Sequence, residues 1–195
     1  MSEKEQIAEV DGSPPSPGRL KKTIVMVGMM GAGKTAVGRA LAARLQVPFL
    51  DSDHEIESAA NMTIPEIFAR DGEAFFRLKE RQVIARLLTE ECGVLSTGGG
   101  AFLAAENRET ITRNGASIWL QADLDVLWNR VRHRDTRPLL KTADPRATLA
   151  QLYAARVPLY AKADLAVVSD GKASIEEMVD RVLEALRSRP DVLES

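Results

Sequence analysis

Residues 24–41 read IVMVGMMGAGKTAVGRAL, and the chain changes character halfway along them. An unbroken apolar run ends at Gly28, Gly31 and Gly33 follow within the next five residues, and apolar residues then return at helical spacing (Val37, Leu41, Leu45). A run apolar at every position predicts a strand buried on both faces; the later spacing predicts an amphipathic helix. Between them Gly28, Gly33, Lys34 and Thr35 fit G-x-x-x-x-G-K-[ST]. Glycines let backbone N–H groups turn inward around phosphate oxygens, and the following helix adds favourable partial charge at its N-terminus. The predicted ligand is therefore a nucleotide, held by the loop amides of Gly31, Ala32, Gly33 and Ala36. Lys34 reaches its outer phosphates and the Thr35 hydroxyl serves a Mg²⁺ ion.

The same alternation continues along the chain. TIVMVG, VPFLDSD, VLSTGGG, SIWLQAD and LAVVSDG are five candidate strands, separated by helical patterns such as Leu124, Leu127, Trp128, Val131 and Ile175, Met178, Val179, Val182, Leu186. Thr63/Glu66 and Ser174/Glu177 form capping boxes that mark two helix starts. Strands alternating with helices predict an α/β fold, a mainly parallel sheet covered on both faces, with ligands beyond the strand carboxyl ends.

Composition narrows the partner. At 195 residues, 45% hydrophobic and 28% charged, the chain suits one compact domain. A net charge of −2 offers no bulk attraction for nucleic acid or an acidic membrane surface, so the expected partner is a small molecule. The one cysteine, Cys92, excludes an internal disulfide and fits a reducing compartment; it is expected to pack as a small apolar residue. With no signal-peptide pattern and no apolar run of membrane-spanning length, a cytoplasmic protein is expected. Residues 2–20 hold three prolines and two glycines but little to bury, which predicts a flexible tail over 1–21, a single domain over 22–188 and a short tail over 189–195.

Further motifs follow in order. DSD places Asp51 and Asp53 after an apolar run, turned the same way if strand geometry persists, and two carboxylates there suit a metal and a hydroxyl. By itself the stretch could equally be an acidic loop capping a helix. Arg77 follows DGE on a probable helix, Gly98, Gly99 and Gly100 follow a strand and permit close backbone approach, and Arg137 precedes Pro138 in a polar, loop-like stretch. Taken singly, each has an ordinary reading as a surface arginine or a tight turn.

Together, G-x-x-G-x-G-K-T, D-S-D, D-G-E-x-x-F-R, G-G-G, R-P-L-L and R-x-P-L-Y resemble the shikimate kinase family over residues 22–186. That resemblance implies a three-layer P-loop kinase fold of the nucleoside-monophosphate-kinase type. It has a five-stranded parallel sheet, a helical substrate-binding region and a lid over about 134–146. It implies ATP and Mg²⁺, and transfer of phosphate to the 3-hydroxyl of shikimate on the route to chorismate, by a monomeric enzyme. Arg77 and Arg156 are implied to clamp the carboxylate and Asp53 to receive the attacking hydroxyl. Gly98, Gly99 and Gly100 line the ring, Asp51 supports Mg²⁺ beside Thr35, and Arg137 meets the γ-phosphate. Arg130 and Lys172 flank the adenine. A regulatory GTPase is excluded because neither D-x-x-G nor N-K-x-D occurs. The HRD at 133–135 imitates a protein-kinase triplet without the D-F-G that should accompany it, so His133 and His54 are read as polar surface positions.

Overall fold

The computed structural model describes residues 18–134 and 138–195. In chain order the elements are β1 (Arg19–Leu20), β2 (Thr23–Val27), α1 (Lys34–Leu45), β3 (Phe49–Asp51), α2 (Ser52–Ala60), α3 (Ile64–Glu90) and β4 (Val94–Ser96). They continue with α4 (Ala105–Asn114), β5 (Gly115–Gln121), α5 (Leu124–Val131), α6 (Pro145–Tyr160), β6 (Leu165–Val168), α7 (Ile175–Leu186) and β7 (Leu193–Glu194). The five predicted strands form one parallel sheet in the order β3-β4-β2-β5-β6. Every residue of β2 is buried, as its unbroken apolar run requires of a central strand.

From β2 the chain moves one way, through α1, to the edge strand β3. From β3 onward each step runs the other way. Right-handed crossovers in opposite directions put the helices on opposite faces, with α1 on one side and α3 and α4 on the other. After β6 the chain returns through α7 to α1, where Arg44 bonds Glu176 and Asp180 at 2.6 and 2.9 Å. The connections leaving the neighbouring strands β2 and β4 therefore run in opposite directions, and the crevice beyond these two strands is where such sheets bind ligands. Strand register sets its floor: Asp51 pairs with Ser96, and Ser96 with Met26.

Both predicted capping boxes form, at Thr63/Glu66 and Ser174/Glu177. Three features depart from expectation. Strand geometry stops at Asp51, whose carboxylate caps α2, so Asp53 sits in the first helical turn. Cys92 is exposed beside the Leu20 carbonyl, because it lies in the short link between α3 and β4. The terminal boundaries also shift: β1 pairs antiparallel with β7, Lys21 N–H donates to the Val192 carbonyl at 2.7 Å, and Val192 is fully buried.

Candidate active site

The phosphate loop follows from its glycines. Gly31 has φ +81°, and a Cβ there would stand 2.7 Å from Val131, so only glycine lets the turn close against α5. Gly33, at φ +101°, precedes α1 without a side-chain cap, which keeps the first amides of the helix directed at the crevice. Lys34 Nζ donates to the carbonyls of Gly28 and Met29 at 2.7 and 3.0 Å. Arg130 braces the loop from outside, donating to the Gly31 and Ala32 carbonyls and to Ser169 Oγ at 3.0, 3.2 and 3.3 Å.

Across the crevice, the three consecutive glycines each seat a different side chain. A Cβ on Gly98 would lie 2.7 Å from Asp53 Oδ1, one on Gly99 3.1 Å from Arg156 Nη1, and one on Gly100 2.6 Å from Arg77 Nη2. Asp53, Arg156 and Arg77 thus converge on one short loop although they come from α2, α6 and α3. Loop geometry is secured from behind by Asn107, which donates to the Ala101 carbonyl at 2.9 Å, and by Arg108, which donates to those of Phe102 and Leu103.

Electrostatics at this end are unusual. Burial, with the charges of Asp51 and Glu80, pushes the Asp53 carboxyl up to about 6, against the opposing pull of Lys34. An acid held near neutrality is suited to exchanging a proton with a substrate hydroxyl. Asp51 spends Oδ1 on the His54 N–H at 3.1 Å.

A single cavity of about 1450 Å³ joins both halves. That exceeds the 300–1,000 Å³ typical for one drug-sized ligand and leaves room for two substrates side by side. Its walls include Gly31 to Ala36, Asp51, Asp53, Arg77, Gly98 to Gly100, Arg130 and Arg156. Lys172 does not line it; that residue is exposed, and its backbone N–H closes a turn on Asp170 while Ala173 and Ile175 form the wall. Arg137 lies outside the described residues; of the expected lid, Arg134 and Leu139 face the cavity.

The family model for shikimate kinase matches residues 30–187. The chain belongs to the shikimate kinase family. It is 75% identical over 175 residues to the shikimate kinase of Ruegeria pomeroyi, covering 90% of each chain. Identity to the enzyme of Cereibacter sphaeroides is 68% over 177 residues, 91% of this chain and 88% of that one. Among solved structures, the shikimate kinase of Acinetobacter baumannii in complex with shikimate superimposes with a TM-score of 0.80 at 38% identity, covering 86% of this chain and 93% of that one. A gluconokinase from Sinorhizobium meliloti, at 20% identity and TM-score 0.55, shares the fold alone. As a shikimate kinase the protein is a phosphotransferase that uses ATP to phosphorylate shikimate.

Sequence reasoning missed Glu80. Its side chain is 1% exposed, and Oε1 accepts from Arg77 Nη1 at 2.8 Å while Oε2 has no hydrogen-bond partner among the described residues. Burial pushes the Glu80 carboxyl up and Arg77 pulls it down. An acid three residues after a cavity-lining arginine on a helix was the available signal, since i and i+3 share a face.

Proposed function

We propose that the shared cavity positions ATP over the Gly31–Ala36 loop and shikimate against Gly98–Gly100, so that the 3-hydroxyl attacks the γ-phosphorus in line. The observation that carries this reading is the convergence of Asp53, Arg77 and Arg156 on three successive glycines that line the same cavity as the phosphate loop. A planar guanidinium recognises a carboxylate through two parallel hydrogen bonds, and two such groups flank the place where the acceptor's carboxylate is to rest. Glu80 keeps Arg77 aimed there. Asp53 accepts the 3-hydroxyl and either orients it or takes its proton as the bond to phosphorus forms.

Lys34 leaves its loop carbonyls to balance charge on the β- and γ-phosphates. Thr35 and Asp51 offer hard oxygen donors on one wall, and among the described residues no cluster of three acidic, His or Cys side chains forms a closed cage. Such a sparse oxygen set suits Mg²⁺, which keeps several waters and binds substrate phosphates. The ion would neutralise phosphate charge when bound. Arg130 supports the nucleotide end, and Arg137, by its place in R-P-L-L, meets the γ-phosphate as charge shifts. Lid closure over 134–146 would exclude water from the transfer.

All the proposed groups belong to one chain, which favours a working monomer in the cytoplasm, where ATP is supplied. Among the described residues no helix is long and apolar enough to cross a membrane. Two variants test the division of labour. Lys34→Ala should lose turnover by at least about 10²-fold while shikimate still binds in a calorimeter, and Arg77→Ala should lose shikimate binding while ATP still binds. Loss of both ligands in each variant would refute two adjoining subsites.

A further inference from the structure

Of the R-x-P-L-Y motif, the proposed function uses only Arg156. The last residue, Tyr160, follows it by four positions on α6 and so lies on the same face. Its ring is buried, 6.5 Å from that of Phe102 and 6.3 Å from that of Trp119. Its hydroxyl donates to the Gly99 carbonyl at 2.5 Å. Gly99 is also the glycine whose Cβ would meet Arg156 Nη1 at 3.1 Å, with Tyr160 Oη at 4.0 Å. Arg156, Gly99 and Tyr160 are therefore mutual neighbours drawn from two distant segments.

We propose that the Tyr160 hydroxyl is a positioning group for acceptor recognition, locking the Arg156 guanidinium to the Gly99 backbone so that both meet the substrate as one unit. The proposal rests on the reading of Gly99 and Arg156 as shikimate contacts. Hydroxyl valence supports it. A phenol has one proton and two acceptor sites, whereas a guanidinium has only donors. Once the proton goes to the Gly99 carbonyl, the lone pairs are left to the cation. Burial raises the Tyr160 pKa, and Arg156 opposes it through charge and a side-chain hydrogen bond, so the proton stays available for donation at neutral pH. A phenylalanine would fill the same space between Phe102 and Trp119 but would remove this donor from the half-buried Gly99 carbonyl.

The test is a double-mutant cycle read in steady-state kinetics. Tyr160→Phe should raise KM for shikimate about ten-fold, the effect of one lost hydrogen bond to a charged or buried group, and move KM for ATP by less than about two-fold. In an Arg156→Ala background the same change should raise it no further. An unchanged shikimate KM in Tyr160→Phe, a rise of equal size in both backgrounds, or parallel loss of ATP and shikimate binding would overturn the proposal. If Arg156→Ala itself leaves the shikimate KM unchanged, the underlying site reading fails first. A second measurement does not depend on Tyr160→Phe folding. The chain has two tyrosines, so fluorotyrosine incorporated into Tyr153→Phe protein labels Tyr160 alone. Its ¹⁹F resonance should move on saturation with shikimate and stay in place with ATP; a resonance indifferent to shikimate overturns the proposal.

Discussion

At the scale of single residues, Asp53 carries the sharpest consequences. Its carboxyl is pushed up to about 6, so kcat/KM for shikimate should fall about ten-fold per pH unit below pH 6, and a profile flat down to pH 5 would contradict its role. The same shift implies a cost in stability. A carboxyl whose folded pKa exceeds its unfolded value holds its proton more tightly in the folded state, so stability is full below the unfolded pKa, near 4, and is lost as pH rises through 6. Asp53→Asn should therefore lose turnover by about 10²-fold or more yet raise Tm at pH 7.5, with the Tm difference shrinking toward pH 4. Thermal melts across that range check the sign. The glycines make separable predictions. Gly100→Ala crowds Arg77 and should raise KM for shikimate about ten-fold, whereas Gly98→Ala crowds Asp53 and should act mainly on kcat.

Among the elements, α3 is the one whose geometry was hardest to foresee. It spans Ile64–Glu90 but breaks at Gly72, which has φ +85° and ψ 171°. Phe68 and Phe76 pack across the break with ring centroids 4.8 Å apart, and the redirected second half delivers Arg77 to Gly100. No described residue would touch a Cβ at Gly72, so Gly72→Ala should act through backbone strain, about 1–3 kcal/mol. For a chain of this size that lowers Tm by about 2–4 °C per kcal/mol, which calorimetry reads directly. The five strands, both capping boxes and the phosphate loop were legible because each is written in local spacing and local hydrogen bonds. Glu80, Tyr160 and the seating of one side chain on each glycine were not, because they depend on where separate segments meet in space. Asp53 shows the boundary between the two: its presence at the site was legible, its place in a helical turn was not.

Over the whole molecule, the opposite directions of the connections leaving β2 and β4 put the Gly31–Ala36 loop and the Gly98–Gly100 loop at the ends of adjacent strands, and one cavity spans both. Composition alone suggested loose ends to the chain, yet β1 and β7 clasp the described termini together on a buried Val192. Deleting residues 189–195 should cost about 2 kcal/mol through lost apolar burial, lowering Tm by about 4–8 °C. Both Michaelis constants should stay within two-fold, because none of those residues lines the cavity. A change in KM without a change in Tm would contradict that separation.

The most direct test of the shared cavity is ADP release from ATP·Mg²⁺ with shikimate, gluconate and AMP offered in parallel. The account predicts turnover with shikimate alone, abolished by Lys34→Ala and by Asp53→Asn. Turnover of gluconate or AMP with none for shikimate would contradict it.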